Sequence, residues 1–118
     1  MLNTVSVLAI GVVILLHVGF FVLESILWTT PTGRRIFGLT PELAAGSASL
    51  ALNQGVYNLF LAAGLIWGCV AGSFAVKVFF LSCVVVAGIV GGITAKRTIL
   101  IIQALPGAIA LLLVLGAR

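Results

Sequence analysis

A histidine and a glutamate stand seven residues apart in one apolar run, HVGFFVLE, as His17 and Glu24. On a straight helix that spacing is two turns, which places both on one face about 10 Å apart in depth. An imidazole exchanges protons near neutral pH, so His17 is the candidate general acid or base, with Glu24 as the group that orients or recharges it. A second cluster lies in LNQGVYNLFLA, where Asn53 and Tyr57 are i and i+4, and Gln54 and Asn58 repeat that spacing. Two adjoining polar stripes, each one turn long, result. Carboxamides and a phenol so arranged could polarise a carbonyl or hydroxyl of a ligand. Gln103, shortly before Pro106-Gly107, and Trp28, on the His17 and Glu24 stripe, complete the candidate binding set.

The elements that must position these residues are membrane helices. Of 118 residues, 63% are hydrophobic and 7% charged, and the mean hydropathy is +1.40. Too little polar surface remains to face water, so the chain reads as integral to a membrane. Period-2 alternation is absent, which leaves helices as the spanning structure. Four runs are expected, at approximately 2–28, 44–71, 73–93 and 98–117, as a single membrane domain. Short links between consecutive runs predict an up-down four-transmembrane-helix bundle, an all-α membrane fold. The stretch from Met1 lacks a basic leader and a small-residue cleavage site, and is read as a retained helix.

Between the first two runs, TTPTGRRIFGLTPEL reads as the one sizeable loop, with Thr40 as the cap and Pro41 as the first residue of the next helix. The net charge of +4 would suggest nucleic acid on a soluble chain. Here the cations fall between apolar runs, and the expectation is membrane lipids as partners and no nucleic acid. Arg34, Arg35, Lys96 and Arg97 on one side, against Lys77 and Arg118 on the other, predict cytoplasmic first and third loops with both termini outside. The expected location is the cell (inner) membrane. Lys77, just inside its helix, is expected to snorkel to the interface.

Gly64, Gly68 and Gly72 form a small-xxx-small series that permits close helix packing, within the chain or in a homodimer. One histidine and two carboxylates make a poor metal site, and Cys69 and Cys83 fit no metal or disulfide pattern, so no metal and no cofactor are expected. By helix counting, His17, Glu24, the 53–58 cluster and Gln103 share one depth, toward the cytoplasmic side. Three readings follow: a polar intramembrane pocket for a lipid-like or small-molecule ligand, in an enzyme or a binder; a proton-linked small-solute transporter using Glu24 and His17; or a partner-binding subunit in which the glycines matter most.

HVGFFVLESILW, NQGVYNLFLAAGL and the late glutamine before Pro-Gly together resemble the small bacterial membrane proteins grouped as the domain-of-unknown-function 1304 family. That resemblance covers nearly the whole chain. It implies a four-span integral membrane protein and no particular activity, and carries over His17, Glu24, Asn53, Gln54, Gly55, Tyr57 and Asn58 as candidates.

Overall fold

The computed structural model describes residues 1–118, and every regular element in it is helical. α1 (Leu2–Phe21) passes into a π turn at Val22–Ile26; α2 is Pro31–Phe37, α3 Pro41–Val70, α4 Phe74–Thr94 and α5 Arg97–Ile99. A second π turn, Leu100–Ala104, leads into α6, Leu105–Ala117. Four stretches are long and apolar enough to cross a membrane: Leu2–Ile26, Pro41–Val70, Phe74–Thr94 and Arg97–Ala117. The protein is a multi-pass, all-α helical bundle. Large aliphatic side chains point away from it, Leu15, Leu50, Val70 and Ile93 being 73%, 75%, 83% and 77% exposed. Lipid, not water, is the solvent such a surface suits.

Contacts divide the chain into two compact units, Met1–Leu16 with Leu61–Arg118, and His17–Phe60; α1 and α3 contribute to both. The first unit is centred on Ile10, Val13, Leu65, Leu81, Val84, Ala110 and Val114. Glycines set how closely its helices approach. A methyl on Gly64 would strike the Phe80 ring, one on Gly68 would lie 3.0 Å from Lys77 Cγ, and one on Gly107 would lie 2.7 Å from Val84 Cγ1. Among apolar helices in an apolar solvent, such contact is the main source of attraction.

Gly72 departs from the expected packing series. It lies outside any helix at φ +59°, with nothing near its missing side chain, and there it turns the chain from α3 into α4. Its neighbour Ser73 sends its amide back to the Gly68 carbonyl (3.0 Å) and caps α4 by accepting from the Val76 amide. The left-handed conformation, which glycine adopts without steric cost, is the reason for that glycine.

A proline explains the second π turn. In an α-helix the Pro106 ring would collide with the carbonyl four residues back, at Ile102. The chain widens first: the Leu105 amide reaches five residues back to the Leu100 carbonyl. The widened turn nests against α4, where a methyl on Gly88 would fall 2.6 Å from the Ala104 nitrogen, and Gly91 and Gly92 leave room for Ile99 and Leu100.

In the second unit, the segment expected to be a loop contains a helix. α2 forms because Thr30 caps it, accepting from the Gly33 amide at 3.2 Å, and Pro31 supplies a preset first residue. Gly38 ends it at φ +65°, with the Leu39 amide returning to the Arg34 carbonyl at 2.9 Å. Turn formers thus delimit a helix instead of interrupting one. α3 then starts as its sequence predicts, the Thr40 hydroxyl accepting from the Leu43 amide at 3.2 Å.

Gly88→Ala forces a shift of the α6 entry and is expected to cost about 1–3 kcal/mol of stability. Gly11→Ala, in a helix with open space around it, is expected to be neutral or to gain up to about 1 kcal/mol. Equilibrium unfolding in mixed micelles tests the pair, and equal effects would remove the close-approach argument.

Candidate functional site

The polar residues of the second unit form an antiparallel ladder between the end of the first span and α3. Asn58 donates from Nδ2 to Glu24 Oε1 at 2.5 Å, the Ser25 hydroxyl donates to the Leu52 carbonyl at 3.0 Å, and Trp28 Nε1 donates to Ser47 Oγ at 3.0 Å. Ser47 passes its own proton to the Leu43 carbonyl at 2.6 Å. Gly55 lets the ladder close, since a methyl there would collide with Ser25 Oγ.

A π turn presents Glu24, an acceptor, and Ser25, a donor, to this ladder. From Val22 to Ile26 the chain is wound with hydrogen bonds to the fifth residue, as in Leu27 N to Val22 O at 3.0 Å. Residues beyond Val22 are therefore rotated away from the register of a straight helix. The two-turn alignment of His17 with Glu24 expected from sequence assumes a regular helix, and the π turn starts between them. His17 is fully buried, its ring meeting Phe20 edge-on at 5.3 Å. Glu24 is half-buried, and its bonded partner is Asn58 rather than either arginine of α2. Trp28 packs against Phe37 of α2, with ring centroids 4.7 Å apart.

The 53–58 cluster divides into two faces. Asn58 and Gly55 point inward and are buried, while Asn53, Gln54 and Tyr57 point outward. Counted from Val70 at 1.5 Å per residue, Asn58 is about 18 Å along the helix and Asn53 about 26 Å. Both depths fall within a hydrocarbon layer about 30 Å thick. The outward amides have no hydrogen-bond partner in this chain, and the Tyr57 ring meets Phe60 edge-on at 6.1 Å. Gln103 belongs to the other unit, where it is buried in the second π turn.

Sequence reasoning missed one feature of that other unit. A cavity of about 150 Å³ is lined by Asn3, Ser6, Gly72, Phe74, Lys77, Val114, Ala117 and Arg118. Lys77 lines it and is only 9% exposed, so its stem lies inward against the bundle rather than along the outer surface, and its ammonium ends in the cavity at the helix ends. Gly68 accounts for the difference, because its bare backbone gives the lysine stem a place to lie. The signal was the i, i+9 pairing of a helix-face glycine with a lysine across a tight turn, legible only once the turn is known.

Compared with protein families, residues 11–115 match the model described as "protein of unknown function (DUF1304)". The chain belongs to the DUF1304 family. Every position of the ladder, and Gln103, falls within the DUF1304 match, whereas Asn3, Ser6 and Arg118 of the cavity fall outside it. Neither the curated proteins nor the solved structures compared with the chain give a match.

A double-mutant cycle on Glu24→Leu and Asn58→Leu is expected to give a coupling of about 0.6–2 kcal/mol in unfolding measurements, the range for hydrogen bonds between membrane helices. Additive effects of the two substitutions would mean that the bond contributes nothing.

Proposed function

We propose that this DUF1304 protein binds a small lipid-like molecule at the Glu24 and Asn58 level of the bundle. The observation that carries the reading is the Glu24–Asn58 hydrogen bond, which holds a half-buried carboxyl group inside an apolar span. An acid at that depth is costly to keep unless protein, water or ligand satisfies it, and intramembrane acids are retained mostly for function. One oxygen of Glu24 is engaged by Asn58, and the half-exposed group has a further oxygen to offer a ligand. Asn53, Gln54 and Tyr57 are exposed on the same stretch of helix. They supply donors and acceptors to the polar head of a molecule whose apolar tail remains in the bilayer. In an enzymatic form of this reading, His17 exchanges the proton.

Orientation is part of the proposal. Arg34, Arg35, Lys96 and Arg97 are surface or partly surface cations, while Lys77 is buried. Discounting Lys77 leaves four against Arg118 alone, which supports cytoplasmic 29–40 and 94–97 segments in the cell (inner) membrane. Single cysteines at Thr32 and Ala71, in a background lacking Cys69 and Cys83, are expected to label from the cytoplasmic and the outer side respectively; the reverse pattern inverts the topology.

For the ligand, the test is mass spectrometry of molecules that co-purify in mild detergent with the wild type and with Asn58→Leu and Gln54→Leu. A lipid-like species retained by the wild type and reduced at least about tenfold in Asn58→Leu supports the reading. No such species, with cross-linked dimers that vanish in Gln54→Leu, assigns the outward amides to a second copy of the chain instead. Solute uptake driven by a proton gradient and abolished by Glu24→Gln selects transport.

A further inference from the structure

We propose that the cavity around Lys77 is a second binding site, independent of the Glu24 and Asn58 site, that takes the phosphate group of an anionic lipid or a free phosphate. Four facts lead there. The cavity holds two cationic side chains, Lys77 and Arg118, and its lining contains neither of the two acidic side chains, Glu24 and Glu42. Lys77 is only 9% exposed, its backbone amide bonds the Ser73 carbonyl at 3.1 Å, and its side chain forms no ion pair with Glu24 or Glu42. The stem of Lys77 is sequestered while its ammonium reaches the cavity, where no acidic side chain stands opposite it, and an anion placed there would complete the pairing of a partly enclosed cation. The space, about 150 Å³, accommodates several waters or one tetrahedral oxyanion.

The donors suit phosphate better than a lone carboxylate. Lys77 offers a compact ammonium, Arg118 a planar fork, and Asn3 an amide, enough to engage three or four oxygens of one ligand. Ser6 is already committed, its hydroxyl donating to the Asn3 carbonyl at 2.8 Å and holding that first turn of α1 in place. Arg118 is held at the rim with its guanidinium carbon 4.2 Å from the centre of the Phe74 ring, a cation–π contact that fixes its direction while leaving its N–H groups available. Gly68 makes room for the Lys77 stem. The start of α4, capped by Ser73, adds the positive end of a helix dipole to the same place.

Position favours the lipid as source. Asn3, Gly72, Phe74 and Ala117 are all helix-end or turn residues, so the cavity opens at one end of its bundle. In a bilayer that end is the level at which lipid phosphates lie, and basic recesses between membrane helices hold such groups.

The test titrates purified protein in neutral detergent with phosphatidylglycerol and, separately, with inorganic phosphate, following lipid adducts by native mass spectrometry and ligand-induced thermal protection. Wild type is expected to bind, and Lys77→Gln and Arg118→Gln to bind at least about tenfold more weakly, each losing one charge-assisted contact. Protection by phosphatidylglycerol alone identifies the lipid as the source; protection by inorganic phosphate identifies the free anion. Should Lys77→Gln fail to fold, the exposed Arg118 provides the deciding variant. Binding of both probes by Arg118→Gln as tightly as by wild type overturns the site. Glu24→Gln is expected to leave this binding unchanged, so failure of the lipid-like ligand reading at Glu24 does not bear on the outcome.

Discussion

Hydrocarbon offers no hydrogen bonds, and every polar group this chain carries into the bilayer must find a partner in the protein or in a ligand. The backbone meets that requirement by being helical almost throughout. Side chains meet it locally: Ser25 uses the Leu52 carbonyl, Trp28 uses Ser47, Asn58 uses Glu24. The groups left over are few and specific. Asn53 and Gln54 face outward with no partner in the chain, and Lys77 faces a cavity without an acidic side chain. Those exceptions carry the functional proposals, because an unmet polar group in an apolar solvent is costly unless something else satisfies it.

Close helix approach is the second dependence, and it follows from the first. Where solvent and side chains are equally apolar, helices are held by contact rather than by expulsion of water. Gly64, Gly68, Gly88 and Gly107 each admit a side chain or backbone that a methyl would displace. The same device serves the polar features. Gly55 admits Ser25 and so closes the ladder at Glu24, and Gly68 admits the lysine stem that directs a cation into the cavity. Packing and chemistry share positions in this molecule.

Both π turns occur at polar residues of the spans, Glu24 in one and Gln103 in the other. The one at Leu100–Ala104 has a local cause in Pro106. For the one at Val22–Ile26 no proline is present; Glu24 and Ser25 lie in it and Trp28 just beyond it, and all three are hydrogen-bonded to α3.

The amino-acid sequence by itself determined the solvent and the element type, since a chain this apolar can satisfy its backbone in a membrane only as helices. It also located the apolar runs to within a few residues and the Thr40-Pro41 helix start, and it singled out the polar residues as candidates, because amides and acids stand out against an apolar background. It did not reveal α2, where Pro31 and Gly38 are boundaries rather than breaks; Gly72 matched both a packing series and a tight turn in the sequence, and its conformation makes the turn. Facing was decided only by the tertiary structure. Asn53 and Asn58 are alike in type and context, yet one is exposed and the other is buried and bonded to Glu24, because only one side of α3 is covered by the end of the first span. Lys77 obeys the same rule: a lysine near a helix end can lie outward or inward, and a glycine nine residues away, brought beside it by the chain's turn, provides the space that directs it inward.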